Sequence, residues 1–410
     1  MKKPMLSAEQ AIHTMLQQVQ AKAGTEFVTL AQALDRVLCQ AVYSAIDVPG
    51  YDNAAMDGYA LRAAEVKPDT PLTIAGAALA GHAFTQAVPV GACVRITTGA
   101  VLPSDLDTVV MQELVNHVDV EGQPAIACQL IPEPGEHVRK AGEDIGKGQL
   151  VFNAGHKLRP ADIGLLASLG FAGVEVKPQL KVAILSSGDE LIAPGDVLPA
   201  GKIYDSNRFV IKAMLQRLGV DVIDLGLLPD NPQQIEQAFQ QAMAEADVLI
   251  TSAGVSVGDA DYTRQILHKL GQIDFWQVAI KPGKPFAFGQ LQGCWFFGLP
   301  GNPVAAVVTL EQLVQPVLRK LSGEVAATAT QTWQAQTMVD LKKQPGRQDF
   351  QRGWFWQDAD GLKVKTLGVQ SSGMLSSIAN ANCYIVLAAD NGGVQSGDIV
   401  TILPFSALLR

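Results

Sequence analysis

Cysteine is scarce in this chain, with five thiols in 410 residues, at Cys39, Cys93, Cys128, Cys294 and Cys383. They are odd in number, far apart and never in a C-x-x-C pair, so neither a disulfide framework nor a structural zinc site is expected. Cys294 and Cys383 stand in apolar runs and read as buried thiols rather than nucleophiles. Positive charge is also in deficit: 31 Lys and Arg face 40 Asp and Glu, for a net charge of -9. A nucleic-acid binder normally presents a basic surface, so that class is disfavoured, whereas an anionic ligand in a local basic pocket is not. No charge-free apolar run reaches the roughly 18 residues of a membrane span. Residues 1–10 hold no apolar core of signal-peptide length. The expectation is a soluble, cytoplasmic protein with no nucleic-acid or membrane partner. Also missing are a G-x-G-x-x-G fingerprint, a P-loop Lys-Ser/Thr pair, a Ser-His-Asp arrangement and metal-ligand spacing among the six histidines. NAD chemistry and ATP hydrolysis are therefore unsupported.

What is present is apolar and finely punctuated. With 48% hydrophobic and 17% charged residues, the chain can bury large cores, and its length suggests about two to four domains. Ser7 followed by Gln10, and Thr29 followed by Gln32, resemble capping boxes and predict helices near 8–21 and 30–36. From about 45 to 150, short β-type runs (Cys93–Thr97, Thr108–Gln112, Ala125–Leu130) alternate with Gly/Pro turns. Pro160 suits the first turn of a helix reaching Leu169, with Gly170 as terminator. Residues 180–322 alternate strand and helix: Val182–Ser186, Asn207–Leu218, Asp221–Leu225, Pro232–Ala246, Val248–Ser252, a helix near Tyr262–Leu270, β-type segments, then Pro303–Leu321. That order predicts a parallel sheet covered on both faces. The tail from 325 reads as a small β domain with runs at Phe350–Trp356, Leu362–Thr366, Cys383–Ala388 and Ile399–Pro404. The fold class is multidomain α/β plus β. A central doubly wound, mostly parallel α/β domain (178–324) is joined by a β-rich inserted module (45–147), an N-terminal helical/linker region (1–44 and 148–177) and a C-terminal small β domain (325–410).

The chemistry concentrates where an open α/β sheet presents its ligands, beyond the carboxyl ends of its strands. Residues 248–263 run from an apolar strand into a Ser/Gly loop of Ser252, Gly254, Ser256 and Gly258, closed by Asp259 and Asp261. Such a loop brings backbone N–H groups to a phosphate, and carboxylates beside a phosphate imply a divalent cation between them. Glu190 follows the 182–186 strand and Asp230 the next one. Each alone reads as a turn or cap residue, but three acids after three successive strands point to convergence. Asp205, Ser206 and Asn207 precede a helix, where Ser206 is placed to cap and leave N–H groups for an anion. Lys281-Pro-Gly-Lys284-Pro offers two point charges on a stiff turn. Gly298-Leu-Pro-Gly-Asn302-Pro303 opens a helix N-terminus. In the tail, Gly346-Arg-Gln-Asp-Phe-Gln-Arg352-Gly and Ser371-Ser372-Gly373 add arginine donors and hydroxyls suited to oxyanions.

In order along the chain, Asp-Asn-Ala-Ala-Met-Asp-Gly-Tyr-Ala at 52–60, Ser-Ser-Gly-Asp-Glu-Leu at 186–191, Tyr-Asp-Ser-Asn at 204–207, Gly-Val-Ser-Val-Gly-Asp-Ala-Asp-Tyr-Thr at 254–263, Lys-Pro-Gly-Lys-Pro at 281–285 and Gly-Leu-Pro-Gly-Asn-Pro at 298–303 match one family. Over nearly its whole length the sequence resembles the MoeA family of molybdopterin molybdenumtransferases, related to the E domain of gephyrin. The resemblance implies Mg²⁺-dependent insertion of molybdenum from molybdate into adenylylated molybdopterin, yielding molybdenum cofactor and AMP. It also implies four domains and an elongated homodimer, with a cleft between the α/β domain of one subunit and the tail domain of the other. An upstream adenylyltransferase and downstream cofactor-handling proteins are the implied partners.

Carried over motif by motif, Asp261 is the key acid for Mg²⁺ and catalysis, with Glu190 as a second metal residue and Asp230 assisting. Ser252, Gly254, Ser256, Gly258, Asp205, Ser206, Asn207 and Asn302 hold the pterin and AMP phosphates. Lys281, Lys284, Arg352 and Ser372 hold molybdate. Asp57, Thr98 and Asp144 belong to functional motifs of less defined role. Two departures stand out: Ala305 replaces a hydroxyl residue of some members, and Gln277 replaces a lysine. A peptide-binding scaffold of the gephyrin kind and a nucleotide-cleaving enzyme are the competing classes. The intact acidic loop favours transferase over scaffold, and cleavage of simple dinucleotides without molybdate dependence would favour the nucleotide-cleaving enzyme.

Overall fold

Six apolar runs between Lys181 and Leu299 pair into one sheet in a computed structural model that describes residues 5–68, 70–252, 266, 267, 269–325 and 331–409. The strand order is Asp221–Leu228, Lys181–Ser187, Val248–Ser252, Cys294–Leu299, Pro285–Leu291, Gln272–Gln277. The first four strands run parallel, and their register sets Ser186 and Leu299 on either side of Ser252 at the carboxyl edge. The last two strands are antiparallel to their neighbours, so the sheet is mixed rather than wholly parallel. The reason is local. Only Gln292 and Gly293 separate Leu291 from Cys294, both at positive φ (46° and 102°), and a two-residue turn of this kind makes a hairpin, never a crossover.

Alternation along the strands feeds two cores. Val182, Ile184, Val248 and Ile250 pack with the helices Ala8–Gln18, Asn207–Leu218 and Pro303–Leu321. Ala183, Leu185 and Leu249 pack with the helix Pro232–Glu245 and with Ile266, Leu267 and Leu270 on the opposite face. Phe286, Phe288 and Phe297 are buried in the first core, each contributing about 1.5–3 kcal/mol. The long helix contains one π turn at Leu310–Val314. Pro316, just beyond it, has no N–H to give the carbonyl one turn back, which accounts for the local widening.

The tail closes on itself. Strands Gln348–Asp358, Gly361–Thr366, Trp333–Thr337, Ile399–Pro404 and Cys383–Leu387 pair in that order, and the last pairs back with the first, making a five-stranded barrel. Ile280–Lys281 adds a short parallel strand beside Gln348–Asp349. A second compact unit, Gln40–Ala154 with Pro160–Gly173, carries a six-stranded sheet ordered Thr108–Met111, Gly58–Leu61, Ala92–Ile96, Leu72–Ala78, Gln123–Cys128, Val115–Val120. Its helix runs Pro160–Ser168, with Gly170 at φ 81° beyond the end.

The capping box at Ser7 forms in both directions, Gln10 N to Ser7 Oγ at 3.1 Å and Ser7 N to Gln10 Oε1 at 2.9 Å. The second expected helix does not form. Leu30–Gln32 is a single 3-10 turn, because Thr29 Oγ1 donates to the Gln32 side chain at 3.0 Å instead of capping the backbone. All five cysteines are free, and burial pushes the Cys93 and Cys294 thiols up to about 12, far from a reactive thiolate. Among the described residues no helix is long and apolar enough to cross a membrane.

Candidate active site

The carboxyl edge of the parallel strands carries the acids. Asp230 N donates to Asp189 Oδ1 at 3.1 Å and Asp189 N to Asp230 Oδ2 at 3.4 Å, so the loops after two neighbouring strands clasp each other. Glu190 folds its carboxylate over Gly188, where a Cβ would meet Glu190 Oε2 at 2.6 Å; the exposed side chain can swing aside, so it is the φ of 152° that favours glycine. Asp189, Glu190 and Asp230 are all exposed. The structure thus brings Glu190 and Asp230 to one edge. Asp261, Asp259, Gly254, Ser256 and Gly258 lie outside the described residues, as does most of the expected 262–270 helix. The donors present are carboxylate oxygens, the chemistry that a hard divalent cation takes.

Deeper in the same edge is a buried polar seam. Asp205, 1% exposed, accepts from Ser186 Oγ (3.1 Å), Arg208 N (3.2 Å) and Arg208 Nε (2.9 Å). Asp205, not Ser206, therefore caps the helix Asn207–Leu218, and Ser206 makes no side-chain cap bond. The sequence expectation for Ser206 is corrected because the carboxylate one residue earlier reaches the same free amide. Arg208 also chelates Asp224 at 2.8 and 2.9 Å. Burial raises the Asp224 carboxyl, but the bonds from Arg208 and Lys212 outweigh it and hold the group below the usual carboxylate range. Asn207 Nδ2 donates to Ser252 Oγ and to Gly301 O, both at 2.7 Å, tying two strand ends and the 298–303 turn into one surface.

Beyond that turn the contacts form a ring. Val304 N, in the first turn of the Pro303 helix, donates to Ser372 O at 3.1 Å, so the barrel loop seats on the helix N-terminus. Arg352 Nη2 donates to Ser371 O at 3.1 Å, its Nε to Ser377 Oγ at 3.1 Å and its Nη1 to Phe350 O at 3.2 Å. Arg352 is 1% exposed; it shares the strand face of Phe350 and Tyr384 that packs on the α/β core, and holds the loop from there rather than from solvent. Lys281 Nζ reaches Asp349 Oδ2 at 3.4 Å. Gly283 (φ 121°) closes the ring, lying so near the helix that a Cβ would sit 2.7 Å from Thr309 Oγ1. Lys281 is half-exposed, Lys284 is exposed with no ion pair among the described residues, and Asn302 is an exposed N-cap without a side-chain cap bond. Lys281 with Asp349, and Val304 with Ser372, thus join α/β and tail residues within a single chain. Sequence reading gives Ser186 and Asp349 no role of their own although both stand in quoted motifs, and it passes over Asp224, a single polar residue in an apolar strand that carries no periodic signal.

Asp57, Thr98 and Asp144 belong to the second unit. Thr98 donates both its backbone N and its Oγ1 to Asp57 Oδ1 at 2.7 Å, and these bonds, the backbone one first, hold the Asp57 carboxyl below the usual range. Asp144 lines an open cleft of about 850 Å³ with Asp47, Tyr51, Asn53, Arg139 and Lys147.

Residues 6–170 match the MoeA N-terminal region (domain I and II), 183–320 a probable molybdopterin binding domain, and 334–405 the MoeA C-terminal region (domain IV). A molybdopterin molybdenumtransferase of Haemophilus influenzae is 46% identical over 99% of this chain and 100% of its own length. One from Nostoc is 35% identical over 96% of this chain and 91% of its own. The crystal structure of a molybdopterin biosynthesis MoeA protein from Pyrococcus horikoshii OT3 superposes with a TM-score of 0.83 at 27% identity, covering 98% of this chain and 100% of the other. With matches from residue 6 to residue 405 and an acid edge and lysine turn built on that frame, the chain belongs to the MoeA family of molybdopterin molybdenumtransferases, enzymes of molybdenum cofactor biosynthesis.

Proposed function

We propose that the chain takes molybdenum from molybdate and inserts it into adenylylated molybdopterin, releasing AMP. The observation that carries this reading is the 298–303 turn, bonded through Gly301 O to Asn207 on one side and through Val304 N to Ser372 on the other. Two anion sites then share one wall. On the strand-end side, Asn207, Ser252 and Asn302, with Gly254, Ser256 and Gly258, receive the phosphates, while Asp205 and Ser206 shape the helix start. Asp261 and Glu190, with Asp230 alongside, would hold Mg²⁺, and when bound it supplies positive charge beside the phosphate oxygens. On the barrel side, Lys281, Lys284 and Ser372 hold molybdate, a tetrahedral dianion, with Arg352 fixing the loop that carries Ser372. Asp57, Thr98 and Asp144 belong to motifs tied to function in the family and carry no defined step in this reading. The enzyme works as a cytoplasmic homodimer, receiving substrate from an adenylyltransferase and passing cofactor to downstream proteins.

Reconstitution with adenylylated molybdopterin, Mg²⁺ and molybdate tests the reading. Asp261→Asn folds but loses molybdenum insertion and AMP release; normal turnover in that variant overturns the assignment.

A further inference from the structure

Asp349 is a carboxylate with an unusual position: it is 2% exposed, on a barrel strand, beside a half-exposed lysine on the short parallel strand that pairs with it. Its Oδ2 accepts from Lys281 Nζ at 3.4 Å and from Gln351 Nε2 at 3.2 Å, and its charge opposes the burial that lowers the Arg352 guanidinium. A buried charge of this kind persists when it is matched by cations and hydrogen bonds, as here. The backbone holds the same register without the side chain: Ile280 and Lys281 pair with Gln348 and Asp349, and Gln348 N donates to Ala279 O at 2.8 Å.

We infer that Asp349 is a positioning residue that tethers the Lys281 ammonium at the oxyanion side of the site before the ligand arrives. The inference rests on the proposed function, because it gives Lys281 a molybdate to hold. An ammonium has three N–H donors, and Asp349 engages one from behind, leaving two for an oxyanion. The rotamer freedom of a long lysine is then lost on folding rather than on binding. Removing the carboxylate has two opposed effects, a looser lysine and a more positive pocket. Loss of the tether wins, because Lys284, exposed and without an ion pair among the described residues, keeps the field of the same turn positive without Asp349.

The test is a double-mutant cycle on the full-length enzyme. Lys281→Ala, Asp349→Asn and the double variant are compared by KM for molybdate, KM for adenylylated molybdopterin and kcat. Each single variant raises the molybdate KM by roughly three- to tenfold, with kcat and the other KM little changed, and the double variant is no worse than Lys281→Ala. If Lys281→Ala leaves the molybdate dependence unchanged, the lysine reading fails and the tether with it. If Lys281→Ala raises KM but Asp349→Asn leaves or lowers it, or if the two effects add, the role of Asp349 alone is overturned. A wild-type measurement guards against a misfolded variant: amine modification followed by mass spectrometry finds Lys281 slower to react than Lys284, with molybdate protecting both. Equal rates without molybdate overturn the tether.

Discussion

On the strand-end side of the 298–303 turn, the exposed charges are acids on loop tips. Asp189 and Asp230 are held by each other's backbone amides, and Glu190 lies over a glycine. On the barrel side, the exposed charges are lysines on a proline-stiffened turn, backed by the buried Asp349 and Arg352. The acid side offers exposed carboxylates on loop tips, while the lysine side is backed by a ring of contacts. The difference suits the two anions of the proposed reaction: a phosphate-bearing substrate with its cation on the open, acidic side and a compact tetrahedral one on the backed, basic side.

Breaking the ring gives the largest expected effects. Arg352→Ala removes the cation beside buried Asp349 and the donors to Ser371, Ser377 and Phe350. A stability loss of about 3–5 kcal/mol by denaturant titration is expected, with the Ser371–Gly373 loop becoming protease-sensitive. A loss below about 1 kcal/mol would show that the ring is not rigid. Gly283→Ala combines positive φ with the Thr309 contact, and a loss of about 1–3 kcal/mol is expected. The smallest effects concern pH and separate two carboxylates. Asp224 is held below the usual range: its stabilisation is complete above the unfolded value of about 3.9 and disappears as pH falls through the lower folded value. Glu311, buried and bonded by Ser406 Oγ at 2.7 Å, is raised by burial: its favourable protonated form is complete below about 4.3 and lost as pH rises through the higher folded value. Asp224→Asn therefore costs stability at pH 7 and little near pH 2, whereas Glu311→Gln gains on wild type as pH rises from 5 to 8. Parallel pH profiles for the two variants would contradict the contrast.

Much of the acid side is legible in the sequence, because strand, loop and helix there follow one another locally. Asn207–Leu218 and Val248–Ser252 have the boundaries that their flanking residues suggest, and Glu190 and Asp230 fall at strand ends as the alternation requires. The lysine side is less legible, since its ring joins segments around 281, 304, 349 and 372 that no local period connects. The turn at 281–284 stands out by its prolines, but its partner Asp349 lies in a strand buried on both faces from 349 to 353, where alternation marks nothing. Arg352 reads as a surface donor because isolated arginines in strands are mostly solvated, and only the packing of its strand face, shared with Phe350 and Tyr384, on the α/β core accounts for its burial. The Ser206 cap fails for a smaller reason: two adjacent residues can both cap, and the sequence does not choose.

The most direct test of two sites sharing one wall is AMP release and molybdenum insertion followed in parallel across a molybdate titration, in wild type, Asp261→Asn and Lys281→Ala. The prediction is that Asp261→Asn releases no AMP at any molybdate concentration, while Lys281→Ala reaches normal insertion at a higher concentration. Loss of the same parameter in both variants, or AMP release untouched by either, would contradict the division.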